Sequence, residues 1–142
     1  MEIAIIADDT KKEIATQFCI AYSGILSRHN LYATQITGKY ISEATGLPIE
    51  LLLPGEIGGV EQIASRVAYN EIDLLLFFRN TEPREMPDEM ADYILRMCDL
   101  HDVAVATNIA SAEAIIMALD KGALDWREFV NPRSAYNRKG RV

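Results

Sequence analysis

The stretch DLLLFF, Asp73–Phe78, decides the fold class of this chain. Five consecutive apolar side chains make both faces of a strand hydrophobic, which is typical of a parallel strand covered by helices on two sides. The run VAVAT, Val103–Thr107, has the same character. Three other short runs predict strands over Glu2–Ala7, Asn30–Thr34 and Glu50–Leu53. The sequence therefore predicts five buried strands.

Helical patterns separate these strands. Apolar residues recur every three or four positions from Lys11 to Arg28, which predicts one amphipathic helix. Similar stripes begin at Val60, Met90 and Ala112. The alternation predicts a single α/β domain in three layers: a doubly wound, five-stranded parallel sheet with helices on both faces.

Composition and charge restrict the function. The chain has 142 residues, 49% hydrophobic and 25% charged, which is typical of one globular domain. Its 14 basic and 21 acidic side chains give a net charge of −7, which repels nucleic-acid phosphates. The N-terminal segment MEIAII has no basic region followed by a long apolar run. We therefore expect a cytoplasmic protein with no nucleic-acid and no membrane partner.

The cysteines and histidines have ordinary structural interpretations. Cys19 and Cys98 lie in helical patterns far apart in sequence, which predicts buried free thiols rather than a disulfide or a metal pair. His29 and His101 each close a predicted helix, where a cation complements the helix dipole. We favour that role over a ligand role.

Candidate binding residues lie where the strands end. Ligands of open α/β sheets bind beyond the carboxyl ends of the strands. The first three loops there read ADDTKK, TQITGK and PGEIGGVEQ, and the last two read FRNTEPRE and TNIAS. The hydroxyls of Thr34 and Thr37, the amides around Gly38 and Gly55, and the ammonium of Lys12 predict a phosphate cradle. Each alone has an ordinary role as a cap, turn or solvated residue, so the prediction depends on their coincidence.

Several segments together resemble the methylglyoxal synthase family over roughly residues 3–130. They are IAIIADDTKK, LYATQITGKYISEATGL, PGEIGGVEQIA, IDLLLFFRN and VAVATNIASAEAII, in the family's order and spacing. The resemblance is closer to the stand-alone synthases than to the effector domain of carbamoyl phosphate synthetase. It implies a Rossmann-like domain, usually a homohexamer. The family converts dihydroxyacetone phosphate into methylglyoxal and inorganic phosphate without a cofactor or metal.

The resemblance covers residues 1–130 as a methylglyoxal-synthase-like domain and leaves residues 131–142 as a basic C-terminal tail. The tail carries Arg133, Arg138, Lys139 and Arg141. These side chains either reach the site of a neighbouring subunit or belong to a frayed, solvated end.

The resemblance implies that this chain keeps only some of the family's phosphate-binding residues. Lys12 stands at the position of the family's phosphate-contacting lysine, and Gly55 matches the glycine of its third loop. The family's threonine-rich loop ATGTTG is changed at its centre to Gln35 and Ile36, and Pro54 replaces a serine. The implied phosphate- or substrate-binding residues are Asp8, Lys12, Thr34, Gln35, Thr37, Gly38, Pro54 and Gly55.

The catalytic half is altered at three loops. The family's Gly-Gly-Asp aspartate abstracts the substrate proton, but this chain has Val60 there. The family's histidine in the first loop is replaced by Asp8, and that of the fourth loop by Pro87. Met90 stands at the position of a following acid. Because valine cannot accept a proton, general-base catalysis from position 60 is impossible.

Other carboxylates are candidate substitutes. Glu61 follows Val60, but one helical residue rotates a side chain by about 100°, so we expect it to point away. Asp8 and Asp9 are close together, and two carboxylates beside a phosphate raise the electrostatic cost. Three functions stay open: a binding module for a small phosphorylated metabolite or phosphate with lost or altered catalysis, an active synthase using a relocated carboxylate, and an inactive subunit paired with an active paralogue.

Overall fold

The computed structural model describes residues 1–139 and contains one parallel sheet in the order β3-β2-β1-β4-β5. The strands are β1 Glu2–Ala7, β2 Asn30–Thr34, β3 Ile49–Leu52, β4 Leu74–Phe78 and β5 Ala104–Ala106. The predicted bounds of β1 and β2 are confirmed, and the other three differ by one residue at one or both ends. Strand β1 pairs with both β2 and β4, so it occupies the centre of the sheet.

Helices cover both faces of this sheet. They are α1 Lys12–Ala21, α2 Ser23–Leu26, α3 Gln35–Thr45, α4 Gly59–Ala68, α5 Glu89–Leu100, α6 Ile109–Asp120, α7 Arg127–Val130 and α8 Ala135–Arg138. Side chains of α1, α3 and α6 pack with Ile3 and Ile5 of β1, whereas α4 and α5 pack with Ala4 and Ile6. Alternate residues of β1 therefore reach opposite faces, and the predicted three-layer α/β architecture is confirmed.

The first helical segment differs from the prediction. One continuous helix was expected from Lys11 to Arg28, but α1 ends at Ala21 and α2 begins at Ser23. Tyr22 between them has φ −108° and ψ 21°, outside the helical range. The Ser23-Gly24 pair is a weak helix former, which explains a break at this point.

None of the helices in residues 1–139 is long and apolar enough to cross a membrane.

The structure confirms two buried free cysteines. Cys19 belongs to the core cluster under α1, and Cys98 to the cluster under α5, so the sheet separates them. Burial raises the pKa of each thiol to about 12. Both thiols are therefore protonated and unreactive at neutral pH.

The prediction of a helix-end cation is wrong for His29. Its Nδ1 lies 3.1 Å from the amino group of Met1. Burial lowers the pKa of His29, and the positive charges of the amino terminus and Arg28 lower it further. The neutral ring is therefore favoured and accepts a hydrogen bond from the ammonium group. His101 does lie at the end of α5, as predicted.

The C-terminal segment is docked against the amino-terminal edge of the sheet. The fully buried Arg127 donates to the carboxylate of Asp73 at 3.1 Å and to the carbonyl of Ile72 at 3.0 Å. Asn131 donates to the same Asp73 oxygen at 3.0 Å, and Arg133 donates to the hydroxyl of Tyr32 at 2.9 Å. The expectation of a frayed tail is therefore wrong for residues 131–138, while Arg141 lies outside the described residues.

Replacing Arg127 tests whether this docking stabilises the domain. Because Arg127→Ala leaves the buried Asp73 carboxylate without its cation, we expect it to lower the free energy of unfolding by about 3–5 kcal/mol. The measurement is urea unfolding followed by circular dichroism. The control is Arg138→Ala, which removes an exposed arginine of the same segment and should cost less than about 0.5 kcal/mol. Equal effects of the two substitutions would contradict a structural role for the buried pair.

Candidate ligand site

A cavity of about 500 Å³ opens at the carboxyl edge of the sheet. The loops after β1, β2, β3 and β4 contribute to its lining, as expected for an open parallel sheet. The register places Ala7 beside Phe78, so the first and fourth loops leave the sheet side by side. The fifth predicted loop, TNIAS, contributes no residue to this lining within the described chain.

The segment after β1 supplies one of the three cations that line the cavity. Lys12 begins α1, and its ammonium group pairs with the carboxylate of Asp9 one helical turn away. The side chain of Lys12 is mostly buried, whereas that of Asp9 is mostly exposed. An anion entering the cavity therefore meets a positioned ammonium group whose present partner can move into water. The amino ends of α3 and α4 also lie at this edge, although their first amides, those of Gln35 and Gly59, donate to the carbonyls of Leu53 and Pro54.

The second loop is shorter than predicted, because α3 begins directly after β2. Thr34 and Thr37 line the cavity, and both are buried. The hydroxyl of Thr37 donates to the Ala7 carbonyl at 3.4 Å, a long hydrogen bond that leaves it free to rotate toward a ligand.

Two predicted binding residues lie outside the cavity lining. Gln35 and Gly38 belong to the first turn of α3 rather than to a loop. A Cβ on Gly38 would overlap the side chain of Leu51, so this glycine allows α3 to pack closely on β3. Their role in phosphate binding stays a prediction, and the close approach of Gly38 to Leu51 gives that glycine a structural role as well.

The third loop is fixed by its glycine pair. Gly58 has φ 110°, which favours glycine, and a Cβ on Gly59 would overlap the Leu53 carbonyl. The chain turns tightly through Gly55–Ile57 and then enters α4. Pro54 and Gly55 line the cavity, as does Val60, which also packs on the core cluster under α4.

The carboxylates of the cavity differ in their surroundings. Burial raises the pKa of Asp8, but hydrogen bonds from Thr10 and the charges of Lys12 and Arg84 outweigh it and hold that pKa below its ordinary value. Asp8 is therefore a weak base. Glu61 is among the residues that line the cavity, next to Val60.

The fourth loop adds arginines that were not predicted as site residues. Arg84 donates to Asp88 at 3.2 Å, and Asp88 also caps α5 through the amide of Ala91. The guanidinium of Arg79 lies 5.9 Å from the centroid of the Phe77 ring and forms no salt bridge with carboxylates of residues 1–139. The position of both arginines in the segment after β4 was the signal that the sequence offered. Met90 lines the cavity, and Pro87 does not.

The site has no arrangement of metal ligands. Within residues 1–139, no group of three His, Cys, Asp or Glu side chains is placed to hold a metal ion. The groups that line the cavity can donate hydrogen bonds, supply positive charge and enclose an apolar surface. The fold and cavity thus define a Rossmann-like α/β protein with a cavity of mixed charge beyond its strand ends.

Comparison with known proteins identifies the family to which this chain belongs. The MGS-like domain family matches residues 16–107. Methylglyoxal synthase of Caldicellulosiruptor saccharolyticus is 51% identical over 138 residues, which is 97% of this chain and 98% of the relative. That of Thermoanaerobacter sp. is 47% identical over 131 residues, covering 90% and 97%. A crystal structure of methylglyoxal synthase from Elizabethkingia anophelis has a TM-score of 0.72 at 30% identity, covering 81% of this chain and 76% of that one. The chain belongs to the methylglyoxal synthase family.

Adding a methyl group at position 59 tests the geometry of the third loop. Because the new Cβ would overlap the Leu53 backbone, we expect Gly59→Ala to lower the free energy of unfolding by about 1–3 kcal/mol. Gly24→Ala is the matched control, since it meets no atom within 4 Å and lies in helix α2. It should be neutral or stabilising by up to about 1 kcal/mol. Thermal unfolding measures both, and a stable Gly59→Ala protein would contradict this loop geometry.

Proposed function

We propose that this chain binds a small phosphorylated metabolite, or inorganic phosphate, in the cavity and lacks efficient methylglyoxal synthase turnover. The observation that carries the proposal is the wall of the cavity at position 60. Val60 packs there on the core and presents only hydrocarbon to a ligand. The binding groups therefore lie beside a surface that exchanges no proton.

The charges of the cavity are mixed, because the carboxylates of Asp8, Asp9, Glu56, Glu61 and Asp88 line it beside the cations of Lys12, Arg79 and Arg84. Lys12 holds Asp9, and Arg84 holds Asp88, so two of the three cations that line the cavity are already paired. A phosphate group gains the full attraction of Lys12 only when Asp9 turns away. Arg79 is the third cation and pairs with no carboxylate of the described chain.

The proton-transfer groups support loss of turnover. Removal of a general base costs roughly 10²–10⁴-fold in rate. Asp8 is held as a weak base by its hydrogen bonds from Thr10 and the nearby cations. Asp9 is engaged by Lys12, which any phosphate also requires. Pro87 and Met90, at the other two altered positions, have no group that titrates.

An active synthase is the second candidate function. The relatives that cover nearly the whole chain are named methylglyoxal synthase, and this favours retained activity. The carboxylate that suits this candidate is Glu61, because it lines the cavity next to Val60. The two candidates differ in one measurable property, which is turnover of dihydroxyacetone phosphate.

Anion binding is tested by calorimetric titration with inorganic phosphate. We expect Lys12→Met to weaken binding at least tenfold, because the ammonium charge is lost. Asp9→Asn should strengthen binding severalfold, because it removes the carboxylate that competes for Lys12. The control Lys121→Met removes a lysine that does not line the cavity and should change nothing. No binding of phosphate at millimolar concentration would contradict the proposal.

The same titration bears on the third alternative, an inactive subunit that serves only to complete a mixed assembly. That role needs no ligand. Tight binding by a protein that forms only homomers would count against it. Loss of ligand binding in a protein that co-assembles with an active paralogue would favour it.

Turnover is tested by phosphate release from dihydroxyacetone phosphate, using protein made in a host that lacks its own synthase. We expect a rate roughly 10²–10⁴-fold below that of a family synthase that keeps its general base, and no change with Glu61→Gln. Robust phosphate release that disappears in Glu61→Gln would establish the second candidate instead.

A further inference from the structure

The connection from β4 to α5, residues 79–88, contains neither a helix nor a strand. Residues 81–87 are all exposed. No backbone–backbone hydrogen bond within the described chain involves residues 79–87, and the amide of Glu82 donates to the side chain of Asn80 at 2.8 Å. Buried apolar contacts and backbone hydrogen bonds hold a loop in one conformation. This connection has few of either, so it can move at a small cost in free energy.

The same connection carries two of the cations that line the cavity. Arg79 directly follows β4, and its guanidinium lies 5.9 Å from the ring centroid of the buried Phe77. That contact places Arg79 against the end of the sheet. Arg84 lies five residues further on, among the exposed residues. The position of its guanidinium therefore depends on the conformation of the whole connection.

A weak ion pair holds Arg84 where it is. Its guanidinium donates to Oδ2 of Asp88 at 3.2 Å, and the two side chains are 50% and 35% exposed. Exposed ion pairs of this kind contribute little to stability. The other carboxylate oxygen of Asp88, Oδ1, accepts from the amide of Ala91 at 3.1 Å and caps α5. Because the two bonds use different oxygens, Arg84 can leave Asp88 without loss of the helix cap.

The charges of the cavity favour that movement when an anion binds. Its carboxylates outnumber its cations, so a phosphate group beside Lys12 adds negative charge to a cavity that already has an excess of it. Such a group attracts the cation that is free to move. Burial raises the pKa of Asp8, but hydrogen bonds from Thr10 and the charges of Lys12 and Arg84 outweigh it. Arg84 therefore already lies within electrostatic reach of the segment that carries Lys12.

We propose that residues 80–87 form a lid over the cavity, and that Arg84 closes it by leaving Asp88 and pairing with the phosphate group of the bound ligand. A guanidinium group suits this role, because its planar N–H donors match phosphate oxygens two at a time. The inference rests on the proposed function, since an anion at Lys12 is what attracts Arg84. It adds a further binding residue and a conformational step.

Amide hydrogen exchange, followed by mass spectrometry, tests closure of the lid. The probe is inorganic phosphate at a concentration that saturates the protein. We expect the amides of residues 79–86 to exchange severalfold more slowly with phosphate than without it. In Arg84→Met, saturated in the same way, the slowing should be absent. Arg96→Met is the matched control, because Arg96 is an exposed arginine of α5 outside the cavity lining, and it should behave as the unsubstituted protein does.

A double-mutant cycle measured by calorimetry tests the exchange of partners. Arg84→Met should weaken phosphate binding roughly three- to tenfold, because a charge-assisted hydrogen bond is lost. Asp88→Asn removes the charge that holds Arg84, and asparagine caps a helix as well as aspartate does. It should strengthen phosphate binding severalfold. In the double variant that gain should disappear, since no guanidinium is left to be released.

The outcomes separate this inference from the proposed function. Phosphate binding that leaves the exchange of residues 79–86 unchanged would overturn the inference and leave the proposed function standing. An equal gain from Asp88→Asn with and without Arg84 would also overturn it, because the gain would then come only from the removal of a negative charge. Absence of phosphate binding in the unsubstituted protein and in every variant would overturn both.

Discussion

The contact between Gly59 and the carbonyl of Leu53 is the constraint on which the site depends. Because the backbone of the third loop lies directly on the end of β3, only a residue without a Cβ fits at position 59. This contact fixes where α4 begins, and therefore where Val60 and Glu61 stand relative to the cavity. A carboxylate from a neighbouring position cannot take the place of Val60 by a shift of the loop without breaking it.

Family membership and chemistry depend on different parts of this molecule. An identity of 51% over nearly the whole chain shows family membership. Proton transfer depends on single side chains held within hydrogen-bond distance of the substrate. The scaffold is therefore compatible with a site that keeps its cation and hydroxyls while its proton acceptor is replaced by hydrocarbon. Val60 at that position packs against the core cluster under α4 and α5.

The sequence predicted most of the fold because buried strands and amphipathic helices each have a distinct apolar period. It predicted the edge of the sheet at which Lys12, Thr37 and Gly55 meet, because parallel strands end on the same side. It assigned Gln35 and Gly38 to a loop, whereas both lie in the first turn of α3, whose N-cap is Thr34. It also missed the docking of Arg127 and Asn131, because nothing in a polar C-terminal segment indicates that its side chains donate hydrogen bonds to the buried Asp73.

Hydrogen exchange in dihydroxyacetone phosphate tests most directly the claim that this cavity has lost its general base. Dihydroxyacetone phosphate incubated with the pure protein in D2O reports, by proton NMR, whether any group removes a hydrogen from the carbon that bears the hydroxyl. If position 60 is the decisive loss, the rate of deuterium incorporation will equal that of buffer alone, even when the ester is bound. Incorporation well above the buffer rate would show that a working base remains, and would contradict the account.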